Sequence, residues 1–468
     1  MEICECYHCA FPTKGVLRVR LTLRSFFRFT TNAHVSRLSM AVGWTFILLS
    51  LVVTVSRNTR LAVESARDFA NIYAGSKCLV TRCSPYDPAS LEVVLEREGY
   101  SSSAQSWADT LPIYPPPTLL LALPLAILPL GVASGVMYLL TLLCLVGAEF
   151  LVYVRSEWLA EVSPALRGLL FGLTLHAPKV SFALVAGNPG LLSFALLTWC
   201  GFDITEARWR RAVLFSIACI LKPPLALPMV LVLAMKPQDG WTTVRRAGIL
   251  LASFTAVSLV WFHVRFGTIS WWNGLRGNLA LGRALSMSPN DHTTVQTNLL
   301  NVEYLIGYWV PQAWLRLCLT AVLLLLLGGA LLAGLRRIRP YVAQRELSPR
   351  LLMLVTGCVA AFTLLPVYHR FYDAILLLLV LPWTVTALQR REAVPAATAS
   401  LLLVAATYFT WARHLPERIR GVEGLAEPSS LLGFLTHRAD AIETLALCVV
   451  LTTTLLYEGR RLERMTLR

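Results

Sequence analysis

Four short segments hold residues that could do chemistry beside a lipid bilayer. The first is Arg67-Asp68-Phe69-Ala70-Asn71-Ile72-Tyr73, where helical spacing puts Asp68, Ile72 and Gly75 on one face. A carboxylate held among aromatic residues at a membrane surface can be tuned to act as a general base; the plainer reading is an exposed acid paired with Arg67. The second is Ile113-Tyr114-Pro115-Pro116-Pro117. Its prolines enforce an extended entry into the next apolar run, and Tyr114 falls where interfacial aromatic residues anchor a span. The third is Leu221-Lys222-Pro223-Pro224. An ammonium set among apolar residues, beside a helix broken by two prolines, calls for an anion, and a phosphate is a natural one; a snorkelling lysine is the alternative. The fourth is Tyr368-His369-Arg370-Phe371-Tyr372-Asp373. His369 and Asp373 are four apart and Arg370 and Asp373 three apart, so they can pair on one helix. Arg and His are donors suited to phosphate or sugar, against the simpler reading of a short interfacial turn.

Other polar features are weaker. Gly187-Asn188-Pro189-Gly190 reads as a turn. His176 and Lys179 flank Pro178 inside an apolar run, and Asn290-Asp291-His292 lies in a polar stretch that could cover a substrate. Cys78 and Cys83 lie in a loop where a disulfide can form. Cys144, Cys200, Cys219, Cys358 and Cys448 sit in apolar runs and read as packing. Cys4, Cys6 and Cys9 with His8 match no zinc spacing. The chain holds no phosphate-cradling glycine loop, ATPase signature or HExxH, and no nucleophile elbow.

The elements that position these residues are membrane helices. Of 468 residues, 56% are hydrophobic and 15% charged, against about 25% charged in a soluble protein. Mean hydropathy is +0.60. Apolar runs lie at about 40–56, 116–130, 132–154, 166–185, 189–203, 212–235, 247–264, 312–335, 350–366, 371–388, 394–411 and 440–457. They predict an all-α integral membrane protein with about twelve transmembrane helices, in a range of 10–13. The net charge of +15 comes largely from clusters between runs, such as Arg208-Trp209-Arg210-Arg211, Arg336-Arg337-Ile338-Arg339, Arg390-Arg391 and Arg460-Arg461. That is the positive-inside pattern, not a nucleic-acid surface. Residues 1–39 read as a basic cytoplasmic segment, 40–457 as the membrane domain, and 458–468 as a cytoplasmic tail. Residues 57–113 read as a first external loop, helical from about 61 to 80 with a turn at Pro85-Tyr86-Asp87-Pro88. One conflict stands: simple alternation puts 208–211 outside. Broken or re-entrant half-helices would remove it.

Taken in order, the motifs resemble glycosyltransferase family 87, the polyprenol-phosphate-mannose-dependent type of membrane transferase. They are Asp68-Phe69 with Tyr73 and Ala74, Ser84-Pro85-Tyr86-Asp87, and Tyr114-Pro115-Pro116 with Leu123-Pro124-Leu125 and Leu128-Pro129. Then follow Gly187-Asn188 in place of a Gly-Gln-x-Asn, Leu221-Lys222-Pro223, and Tyr368 to Asp373. The resemblance covers about 60–390. It implies a C-type glycosyltransferase fold in the plasma membrane, with both termini cytoplasmic and the active site facing the periplasm or exterior. It also implies an inverting hexosyl transfer, with mannose the expected sugar. The expected partners are a polyprenyl-phosphate-sugar donor, a lipid or glycan acceptor and membrane lipids, with no nucleic acid. Asp68 is the implied catalytic base. Lys222, His369, Arg370, Asp373 and Tyr114 fall to the donor phosphate and sugar, and Tyr73, Tyr86 and Asn188 to the acceptor or its loop. No cofactor is required; a divalent ion beside Asp68 is compatible with these residues, although no ligand cluster argues for one.

Two other classes were weighed against this. A secondary transporter or lipid flippase would use Lys222 and the broken helices as a midplane site, but such folds show related halves and no internal repeat is visible here. A surface-polysaccharide polymerase or ligase would carry its largest external loop late in the chain, whereas here it follows the first run.

Overall fold

The computed structural model describes residues 33–65, 67–100, 112–156, 159–202, 208–235, 240–267, 270–287, 299–342, 348–366, 369, 371–409 and 438–466. Among these residues the chain is helical, with no β-strand. In hydrocarbon every backbone N–H and C=O must be satisfied within the protein, and a helix does this within one segment.

Among the described residues, five helices are long and apolar enough to cross a membrane: Arg37–Thr59, Leu130–Arg155, Gly240–Phe266, Ala313–Val342 and Ala439–Thr466. A sixth arises if Pro164–His176 and Pro178–Val185, bent by 50° at Pro178, form one span. The protein is therefore an α-helical membrane protein with five or six candidate spans, fewer than the twelve expected. The remaining apolar runs form shorter helices: Pro116–Ala126, Pro189–Gly201, Pro223–Met235, Pro349–Thr363, Asp373–Gln389 and Val394–Tyr408. Proline and polar breaks cut these runs. A 14-residue helix reaches about 21 Å, short of roughly 30 Å of hydrocarbon.

In chain order, α1 is Ala33–Ser65, α2 Arg67–Thr81, α3 Pro88–Arg97, α4 Pro116–Ala126 and α5 Leu130–Glu149, the last extended by a π-helical turn to Arg155. Next come α6 Pro164–His176, α7 Pro178–Val185, α8 Pro189–Phe202, α9 Arg208–Leu221, α10 Pro223–Ala226, α11 Val230–Met235, α12 Gly240–Phe266 and α13 Ser270–Met287. After α14, Val302–Trp309, come α15 Ala313–Val342 and α16 Ser348–Thr363. A 3₁₀ segment Phe371–Val380 runs into α17 Leu381–Gln389, followed by α18 Val394–Phe409 and α19 Ala439–Thr466.

The helix ends fall into two groups. One group is charged. Arg390 bonds Glu161 at 2.6 Å, Arg350 bridges Glu392 and Glu458, Arg337 reaches Glu463 at 3.7 Å, and Arg246 stacks over Trp209. The opposite group gathers around α2 and α3. Lys77 pairs with Glu98 at 3.2 Å, and Glu98 accepts the Leu130 N–H that opens α5. Burial alone would push the Glu98 carboxyl up; the Leu130 N–H and the Lys77 ammonium outweigh it and hold it below the usual range. Cys78 and Cys83 form a disulfide at the end of α2. Tyr86 packs against Phe262 and Trp271 and donates to the Tyr114 carbonyl at 2.9 Å.

Two apolar runs depart from their expected shape. The 116–130 run does not lead away from this second end. Its helix α4 is held along α2, with Ser76 Oγ donating to the Leu119 carbonyl and Tyr73 to that of Leu128. The 212–235 run is not one helix. It breaks at Lys222 (φ −148°, ψ 80°), where the prolines Pro223 and Pro224 follow. α9 climbs to the break, and α10–α11 return to the charged end, where Gly240 abuts the Leu233 carbonyl.

Helices α1 and α6 approach closely. A Cβ on Gly43 would lie 2.4 Å from the Pro164 carbonyl oxygen, and one on Gly168 would strike the Gly43 backbone. Gly168 and Gly172 form the small-xxx-small spacing that lets membrane helices touch. Gly168→Val should therefore destabilise the fold by roughly 1–3 kcal/mol or more, read as a lowered thermal midpoint in detergent; Gly248→Val, at an open position, should not.

Candidate active site

Five of the sequence-selected residues, Asp68, Asn188, Lys222, His369 and Asp373, meet at the end of the bundle held by α2. Asp68 stands in the first turn of α2, where an acid suits the helix N-terminus. Its backbone N–H and that of Phe69 both donate to the Ala186 carbonyl, at 3.0 and 3.2 Å. Those donors have no partner within their own helix, so the end of α7 caps α2. The Asp68 side chain is not an exposed loop acid: it is 8% exposed, and Oδ2 accepts from Asn188 Nδ2 at 2.5 Å.

The turn from α7 to α8 explains each of its residues. Gly187 has φ +63°, a left-handed conformation that glycine adopts without strain. Pro189 opens α8, where a missing N–H costs nothing. Gly190 donates its N–H to Asn188 Oδ1 at 2.7 Å. Beyond Gly190 lie the cation and its partners. Lys222 Nζ bonds Asp373 Oδ1 at 2.7 Å, and His369 Nδ1 faces Asp373 Oδ2 at 3.1 Å. His369 is fully buried, its carbonyl accepts the Leu300 N–H, and its Nε2 has no hydrogen-bond partner among the described residues. The proline break exists at Lys222 because the ammonium must leave the helix to reach Asp373. Thr118 Oγ, from the start of α4, donates to the Ile220 carbonyl beside that break.

The other candidates lie elsewhere or outside the described residues. The Tyr73 hydroxyl donates to Leu128 and accepts from Lys77. Tyr86 is buried in the aromatic cluster with Phe262 and Trp271, and Tyr114 packs beside it. These three tyrosines fasten α2, α4 and the loop to one another. Arg370 and the 290–292 stretch lie outside the described residues, as do the cysteines and histidine of the N-terminal segment. Two polar features lie beyond the sequence reading: the partner of Lys179, itself noted beside Pro178, and Glu149. Lys179 forms a buried pair with Asp440 at 2.9 Å, which no local spacing could reveal. Glu149 is 4% exposed on α5; an acid inside an apolar run was the available signal. No group of three or more His, Cys, Asp or Glu side chains suited to a metal occurs among the described residues.

The fold and site thus define a helical membrane protein with a buried polar centre at one end. The model of glycosyltransferase family 87 matches residues 113–366, more than half of the chain. The chain belongs to that family and is a glycosyltransferase. The match includes Tyr114, Asn188 and Lys222, while Asp68, His369 and Asp373 lie outside it. No curated protein and no solved structure matches the chain.

The Lys222–Asp373 pair can be tested by unfolding. Asp373→Asn leaves a largely buried ammonium without its carboxylate and should lower stability by about 3 kcal/mol. Adding Lys222→Met should recover part of that loss, measured by thermal unfolding in detergent.

Proposed function

We propose that this glycosyltransferase moves a hexose, mannose by family resemblance, from a polyprenyl-phosphate-sugar to a lipid or glycan acceptor with inversion. The observation that supports this reading is the meeting of Asp68 with Lys222, His369 and Asp373 about one turn. Asp68 takes a proton from an acceptor hydroxyl. The hydroxyl oxygen attacks the anomeric carbon as the bond from that carbon to the phosphate oxygen breaks. The electron pair leaves with the lipid phosphate. The Lys222 ammonium, bonded to Asp373, supplies positive charge for the growing phosphate charge. His369 Nε2, buried and without a hydrogen-bond partner among the described residues, is a further candidate donor. Arg370 is a further phosphate candidate.

The two groups of helix ends support an orientation in the plasma membrane. The charged end is cytoplasmic and the site faces the exterior, recessed into the bilayer because α8 and α9 are short. α4 then does not cross, and the 212–235 run enters from the cytoplasmic side and returns to it as two half-length helices. That keeps about twelve membrane segments in a C-type fold, puts both termini inside, and brings residues 208–211 to the cytoplasmic side. The conflict with the positive-inside rule disappears.

Asp68→Asn should abolish transfer from a radiolabelled polyprenyl-phosphate-mannose while the protein still folds in membranes. Full activity would remove Asp68 as the base. For topology, Ser102→Cys should react with an impermeant thiol label in intact cells and Arg210→Cys should not. Labelling at position 210 would restore α4 as a crossing helix.

A further inference from the structure

Asn188 was a candidate for the acceptor, but its geometry leaves it a different task. Gly190 N–H is a donor, so the amide atom it meets at 2.7 Å must be the oxygen. The amide orientation is thereby fixed, and the nitrogen is turned to Asp68 Oδ2 at 2.5 Å. Both ends of the amide are engaged within the protein, and the residue is 1% exposed. The same turn holds the Asp68 backbone through the Ala186 carbonyl. Asp68 is thus tied to residues 186–190 at two points, by main chain and by carboxylate.

The turn also touches the opposite half of the site. A Cβ on Gly190 would lie 2.7 Å from Asn188 Oδ1, 3.0 Å from Asp373 Oδ1 and 3.2 Å from Lys222 Cδ. Gly190 is therefore where the carboxylate side and the cation side meet, and only a residue without a side chain fits between them.

We propose that Asn188 is a positioning residue: with Gly190 it fixes one oxygen of Asp68, leaves the other to the acceptor hydroxyl, and sets the base's distance from the Lys222–Asp373 pair. This rests on Asp68 being the base. A base held in place speeds the proton transfer without adding affinity for either substrate. Loss of the clamp should therefore appear in kcat and not in KM.

The test compares Asn188→Ala, Asn188→Asp, Gly190→Ala and Asp68→Asn in full-length protein in nanodiscs, with radiolabelled polyprenyl-phosphate-mannose as donor. Asn188→Asp keeps the shape and removes the donated N–H. Both Asn188 variants should lose on the order of 10- to 100-fold in kcat, with the KM for the donor and for the acceptor lipid within about twofold and the thermal midpoint nearly unchanged. Gly190→Ala should lose kcat in the same way. A rise in KM at constant kcat would make Asn188 a substrate ligand, and unchanged kinetics would leave it no role; either overturns the proposal. If neither Asn188 variant yields folded protein, the residue is structural and the positioning role falls. An active Asp68→Asn defeats the base itself. A dead Asp68→Asn beside fully active Asn188 variants defeats only the clamp.

Discussion

A charged side chain inside an apolar bundle must find its partner within the protein, and the pairing of Lys222 with Asp373 is where this fold meets that demand. The pair joins the break between α9 and α10 to the start of the segment that leads into α17. Around it the local choices are forced. The helix ends at Lys222, because the proline that follows disfavours the helical conformation there. Prolines hold that ending open. Asp373 has one oxygen for Lys222 and one for His369, so two polar groups far apart in sequence share a single carboxylate.

The Asp68 side of the site is built on the same logic with neutral groups. The first N–H groups of α2 have no helical partner, and the Ala186 carbonyl at the end of α7 has none either. Each satisfies the other, and in doing so they put Asp68 beside Asn188. Glu98, set below α5, does for the Leu130 N–H what Ala186 does for α2. Helix ends buried in this protein are thus capped by other elements, and those caps give the α2 end its shape.

Several helices at the site are short. α8 and α9, 14 residues each, span only about two-thirds of the hydrocarbon thickness, and each has one end at the polar centre. Long helices such as α12 and α15 supply the frame, with valine, leucine and tryptophan side chains turned outward. Polar chemistry sits where the short helices end, because only there do main-chain groups and freed side chains come together.

Much was readable in the residues themselves. Apolar runs gave the membrane class, since their length and lack of charge admit no soluble core. Lys222 stood out because charge inside an apolar run is costly, Asp68, His369 and Asp373 because they lie at the edges of such runs, and the helix in the first loop followed from its pattern. The four-residue spacing of His369 and Asp373 is local, so it could be read directly. What the order of residues could not show is which ends of which helices lie together. That Lys222 meets Asp373, that Lys179 meets Asp440, and that Asn188 holds Asp68 are contacts across long stretches of chain. Nor could alternation of runs reveal that α4 lies along α2 or that the 212–235 run folds back. Hydropathy records how much apolar surface a segment carries; where that segment turns is decided by the partners its polar groups find, and those are fixed only in the packed bundle.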